Sequence, residues 1–118
     1  MQHRDRIILI KILDEIKVAL DMINNLSFDA FNSNEMLKRA VCMTVINIGE
    51  LVKNLTETVR NEHKSIPWKN IAGFRDIAAH KYQTLKMSDV YKTVVDDFPV
   101  LESNIKAILE SKAASELA

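Results

Sequence analysis

Glycine, proline and cysteine are scarce in this 118-residue chain, which holds two, two and one of them respectively. Two glycines cannot supply the turns of a β-sandwich or barrel, nor a glycine-rich loop around nucleotide phosphates, so Walker-type and Rossmann-type nucleotide binding is excluded. The single cysteine, Cys42, rules out a disulfide framework and any multi-cysteine zinc site, and reads as a small buried apolar side chain. A long hydrophobic run is also missing. The most apolar early stretch, residues 7–10, is preceded by Arg4, Asp5 and Arg6 and followed by Lys11, so it is neither a signal-peptide core nor a membrane span, and a cytoplasmic protein is expected. Net charge is absent too, with 16 Lys+Arg against 16 Asp+Glu, which argues against a uniform basic field coating nucleic acid.

What remains is a chain that is 47% apolar and 27% charged, of a length that encloses one core and leaves no room for a separate cofactor domain. The zero total hides a local imbalance. Residues 60–86 carry Arg60, Lys64, Lys69, Arg75, Lys81 and Lys86 against only Glu62 and Asp76. Ordinary solvated surface can carry such an imbalance, and so can a site for an anionic ligand.

Hydrophobic periodicity predicts four helices. Leu9, Ile12, Leu13, Ile16, Leu20 and Ile23 place the first over residues 4–24. Ile7, Ile8, Ile10 and Val18 lie outside that stripe, which suits packing on two sides, self-association or absorption into a four-helix core. Residues 24–34 read as a loop pinned to the core by Phe28 and Phe31. A second helix is capped by Ser33 or Asn34 and continues to about Asn61, with Leu37, Val41, Thr44, Ile48, Leu51, Leu55 and Val59 as its stripe. Gly49 inside it permits a close helix crossing, at a cost of ~1 kcal/mol relative to Ala. Pro67 suits the first turn of a third helix, whose apolar face is Trp68, Ile71, Phe74, Ile77 and Ala78 and which fades near Tyr82. Ser88 caps a fourth, carrying Val90, Val94, Phe98, Leu101, Ile105 and Ile108, with a kink at Pro99 and a frayed tail after Lys112. The expected fold is an all-α, antiparallel four-helix bundle forming one domain over residues 1–118.

The densest polar cluster is Arg75, Asp76, His80, Lys81 and Tyr82 on the third helix, inside the basic segment. Arg and His together suit RNA cleavage by attack of the 2′-hydroxyl. His transfers protons near neutral pH, and Arg neutralises charge building on phosphorus. Such chemistry needs no metal and no cofactor. On a straight helix, however, Arg75 and His80 diverge by about 140°, whereas Arg75 and Tyr82 lie within about 20°. Either the helix ends or distorts near His80, or Arg75 reaches around, or a second surface such as another subunit completes the cleft. A His near a helix C-terminus can also serve only the helix dipole. His3 and His63 stand alone in the sequence, no helical metal pair is present, and adjacent Asp96 and Asp97 diverge by about 100°, as a solvated face does. Phe74 and Trp68 share the apolar face and read as core rather than base-stacking platforms.

Arg75, His80 and Tyr82 form an R-x-x-x-x-H-x-Y pattern with the polar Asp76 after the Arg, and this resembles the HepT-like toxins of the HEPN superfamily. Pro67-Trp68, Ile71-Ala72-Gly73-Phe74, the stretch from Arg39-Ala40-Val41 to Gly49-Glu50, and Phe98-Pro99-Val100-Leu101 also resemble the family layout, so the likeness covers nearly the whole chain. The resemblance implies a homodimeric, metal-independent endoribonuclease with two motif helices lining a cleft between subunits. It makes His80 the proton-transfer group, Arg75 the residue that binds the scissile phosphate, and Asp76 the residue that orients one of them. Lys69 and Lys81 become candidates for RNA contact, and Glu50 falls near the cleft. The implied partner is a minimal nucleotidyltransferase antitoxin that adenylylates Tyr82, setting phosphate charge beside Arg75. Tyr82 can equally be a half-buried aromatic closing the helix. Ala78 and Ala79 are small where relatives often carry larger apolar residues, which bears on cleft shape. The rival expectation is a catalytically silent helical subunit that binds a nucleotide or docks a nucleotidyltransferase.

Overall fold

A computed structural model describes residues 1–117, and the side chains of residues 1–111. The expected fraying after residue 112 falls on side chains outside the described residues. Among the described residues every regular element is helical: α1 (His3–Ile23), α2 (Phe28–Asn32), α3 (Glu35–Lys53), α4 (Glu57–Glu62), α5 (Trp68–His80), α6 (Met87–Lys92) and α7 (Phe98–Leu117). A 3-10 turn, Tyr82–Thr84, follows α5, and a π-helical turn, Thr93–Asp97, fuses α6 to α7. The four long helices α1, α3, α5 and α7 are those the periodicity predicts, and they make an all-α, HEPN-like bundle. The molecule measures 51 × 28 × 20 Å, and its thinnest dimension is that of two helix layers.

The core is built largely from the predicted stripes, but Val52 is buried where Leu51 is expected, Leu13, Leu20 and Leu37 are half-buried, and Ile77 of α5 is exposed. Leu9, Ile12, Ile16 and Ile23 of α1, Val41, Ile48 and Val52 of α3, and Phe98, Leu101, Ile105 and Ile108 of α7 are all buried. Cys42 is buried among them, and loss of water pushes its thiol up to about 11. The surplus residues of α1 divide, Ile8 being buried while Ile7, Ile10 and Val18 stay exposed. Helix α3 is the hub, packing on α1 on one side and most extensively on α5 on the other, while α7 packs on α1. Helix α5 therefore rests chiefly on one neighbour. Among the described residues no helix is long and apolar enough to cross a membrane.

Four expectations about boundaries need correction. Residues 24–34 are not simply a loop: Ser27 caps the short α2, its Oγ accepting from the Ala30 N–H at 3.1 Å. Phe31 is buried there, and the rings of Phe28 and Tyr91 pack tilted against it. The second helix does not run to Asn61. It breaks after Lys53 because buried Asp5 of α1 accepts hydrogen bonds from the Thr56 N–H at 2.9 Å and its hydroxyl at 2.7 Å. Thr56 is thereby held extended and caps α4. The third helix stops at His80, with Pro67 just before its first residue. The fourth begins at Met87, so Ser88 sits inside the first turn rather than capping it. Upstream of Pro99 the chain widens into the π turn, where the Phe98 N–H bonds to the Thr93 carbonyl. That turn accommodates a residue with no N–H to give.

Candidate active site

The site is assembled where α5 crosses α3. Gly49 makes the crossing: a Cβ there would lie 2.8 Å from the Arg75 Cγ and closer still to its Cβ, so only glycine lets the stem of Arg75 lie on the α3 backbone. The guanidinium then turns along α3. Its Nε pairs with the Glu50 carboxylate at 3.2 Å and its Nη1 donates to Asp76 Oδ1 at 3.1 Å. The same Asp76 oxygen accepts from Lys53 Nζ at 2.8 Å. The Lys53 ammonium first, and the Arg75 guanidinium second, hold the Asp76 carboxyl below the usual carboxylate range.

Two cations and two anions thus interlock, and Arg75, only 23% exposed, is the innermost of them. Of the two motif side chains Arg75 and His80, it is Arg75 that Asp76 contacts. Sequence reasoning placed Glu50 near the cleft but missed Lys53. The available signal was spacing, since Gly49 and Lys53 are four apart on α3 and share a face.

His80 is the last residue of α5 and exposed, and its imidazole makes no hydrogen bond or ion pair among the described residues. Lys81 leaves the helix, its N–H still bonded to the Ile77 carbonyl at 2.8 Å. The helix does end at His80, yet Arg75 and His80 both lie within α5, so this ending leaves their divergence of about 140° in place. Because the helix ends there, Tyr82 does not stack above Arg75 on a continued helix. It swings to the start of α3, where its ring lies 5.1 Å beneath the Arg39 guanidinium and its hydroxyl donates to Glu35 at 3.5 Å. Burial, then the Glu35 carboxylate, push its phenol up. The Glu35 carboxyl itself is lowered, chiefly by Lys38.

The other candidates separate cleanly. Lys69 is exposed and lines an open groove of about 730 Å³ between α4 and α5, together with Lys53, Arg60 and Lys64. Trp68 is buried, its indole N–H given to the His63 carbonyl at 3.1 Å. Phe74 is packed against the core. Asp96 and Asp97 are exposed in the π turn, and His3 is exposed at the start of α1.

These elements fall within the region matched by the family model described as ribonuclease HepT-like, residues 12–108. Among individual proteins, "Putative RNase TTE0752" of Caldanaerobacter subterraneus subsp. tengcongensis is 35% identical over 86% of this chain and 90% of its own. "Putative RNase MJ0127" of Methanocaldococcus jannaschii is 33% identical over 89% and 84%. "Probable ribonuclease HepT" of Thermococcus cleftensis is 28% identical over 81% and 91%. No solved structure matches the chain. On the family match and these identities, the chain belongs to the HepT-like ribonucleases.

Proposed function

We propose that the chain is a metal-independent endoribonuclease toxin, working as a homodimer and neutralised by a nucleotidyltransferase antitoxin that adenylylates Tyr82. The observation that carries this reading is the contrast between its two key side chains: Arg75 is fixed on Gly49 by Glu50 and Asp76, while His80 ends the same helix in solvent. A fixed guanidinium can meet charge without reorganising, and an exposed imidazole can reach a proton.

In the proposed reaction the 2′-oxygen attacks phosphorus and the bond to the 5′-oxygen breaks. The 2′-hydroxyl proton leaves and one is delivered to the departing 5′-oxygen. His80 carries one of these transfers, and Arg75 binds the phosphate and opposes the charge that accumulates on it. The products are a 2′,3′-cyclic phosphate and a 5′-hydroxyl. Asp76 and Glu50 act through Arg75 by fixing its direction. Lys69 and Lys81 supply contacts to phosphates of the RNA.

For the antitoxin step, the Tyr82 oxygen attacks the α-phosphate of ATP and pyrophosphate departs. The neutral phenol must lose its proton as it attacks, and Glu35 is within reach of it. The added phosphate sits where Arg39 can pair with it. Expression in a bacterial host tests both parts. His80→Ala relieves growth inhibition, and co-expression of the antitoxin leaves the parent carrying one adenylyl group that Tyr82→Phe lacks. Unchanged toxicity of His80→Ala contradicts the catalytic part. Tight binding of the nucleotidyltransferase with no RNA turnover by unmodified protein supports the rival, a silent docking subunit.

A further inference from the structure

Gly73 has no task inside the subunit. A Cβ added there meets nothing within 4 Å, unlike Gly49, and a glycine within a helix costs stability relative to alanine. A helix that keeps a needless glycine on an open face leaves backbone bare for something that approaches closely.

What shares that face indicates the visitor. At about 100° per residue, Lys69, Gly73, Asp76 and His80 fall within a stripe about 60° wide, running roughly 16 Å along α5. Ala72 and Ala79 border it on one side and exposed Ile77 on the other, so the backbone is barest at Gly73 itself. At the N-terminal end the stripe opens into the groove of about 730 Å³, whose charged lining is Lys53, Arg60, Lys64 and Lys69 against the single acid Glu57. Lys53 is engaged by Asp76, whereas Lys64 and Lys69 are exposed and carry no ion pair among the described residues. A second copy of the chain would bring the same cations against these, so the charge favours a polyanion.

We propose that the outer face of α5 is a track for single-stranded RNA: the strand crosses bare Gly73, and phosphates flanking the scissile one seat in the groove at Lys64 and Lys69, with Arg60 behind them. This rests on the ribonuclease reading and extends it to a second phosphate subsite remote from the motif.

The test is equilibrium binding of a single-stranded RNA oligonucleotide to non-cleaving His80→Ala protein, alone and with either Gly73→Leu or the pair Lys64→Ala and Lys69→Ala added. Melting temperature and sedimentation are measured on every variant, and RNA cleavage on the parent. Gly73→Leu is expected to keep the melting temperature and bind at least tenfold more weakly. The lysine pair is expected to reduce the slope of log affinity against log salt by about 1.4, which is two phosphate contacts on a single strand. Undiminished affinity and slope in a protein whose parent cleaves RNA overturn the track and leave the ribonuclease reading intact. Unchanged RNA binding with a Gly73→Leu protein of altered mass overturns it in favour of a second copy on this face. A parent that neither binds nor cuts RNA overturns the ribonuclease reading, and the track with it.

Discussion

Arg75 shows how one residue is positioned by the absence of another. Its stem occupies the space that a side chain at Gly49 would fill, and its charge is shared between Glu50 and Asp76. Gly49→Ala is therefore expected to push α5 off α3, lowering stability by about 1–3 kcal/mol in urea unfolding, as overpacking of a close contact does. RNA turnover should fall along with it. Asp76 sets a pH dependence of known sign. Its carboxyl is lowered in the folded chain from the ordinary 3.8, so its contribution is fully present above the ordinary value and is lost as pH falls through the lowered one. The gap in unfolding midpoint between the parent and Asp76→Asn should accordingly stay constant from pH 7 to 5 and close only in stronger acid. Arg75, Asp76, His80 and Tyr82 were all legible as a motif, because chemistry-bearing residues clustered on one helix. What they touch was not legible. Lys53 and Glu35 come from α3, and although the four-residue step from Gly49 puts Lys53 on the crossing face, no local pattern pairs it with Asp76.

At the scale of elements, the stripes fixed which faces are buried but not where helices stop. Residues 34–61 carry one unbroken apolar periodicity, yet the helix breaks because Asp5, some fifty residues away in sequence, captures both donors of Thr56. Residues 24–34 hold too few periodic positions to announce a five-residue helix, and only the Ser27 cap and the Phe28–Phe31–Tyr91 cluster make one. Pro99 signalled an irregularity, and the backbone met it upstream with a π turn. The same logic makes Thr56 a test of how α1 governs the α3–α4 break. Thr56→Ala loses the cap of α4 and leaves an oxygen of buried Asp5 without its hydroxyl partner, so a loss of about 2–3 kcal/mol is expected by chemical denaturation. A loss below about 0.5 kcal/mol would mean that the break is set by α3 itself. Because α5 ends at His80, Tyr82 is sent to a separate neighbourhood beside Glu35 and Arg39.

For the molecule as a whole, α5 is attached chiefly through α3, which leaves its outer face and the end bearing His80 open. Ile7, Ile10 and Val18 of α1 remain exposed, at 39%, 42% and 48% of their surface. Exposed β-branched residues on one helix suit association of two subunits, and sedimentation at micromolar concentration should give twice 13.5 kDa for the parent. A 13.5 kDa species would place the whole reaction within one chain. The central claim is that Arg75 and His80 cut RNA through its own 2′-hydroxyl. Its most direct test is cleavage of end-labelled tRNA and mRNA in EDTA by unmodified parent protein beside His80→Ala, with the new ends examined. The account predicts scission by the parent alone, leaving 2′,3′-cyclic phosphates. Equal cleavage by both proteins, or no cleavage by either, would contradict it.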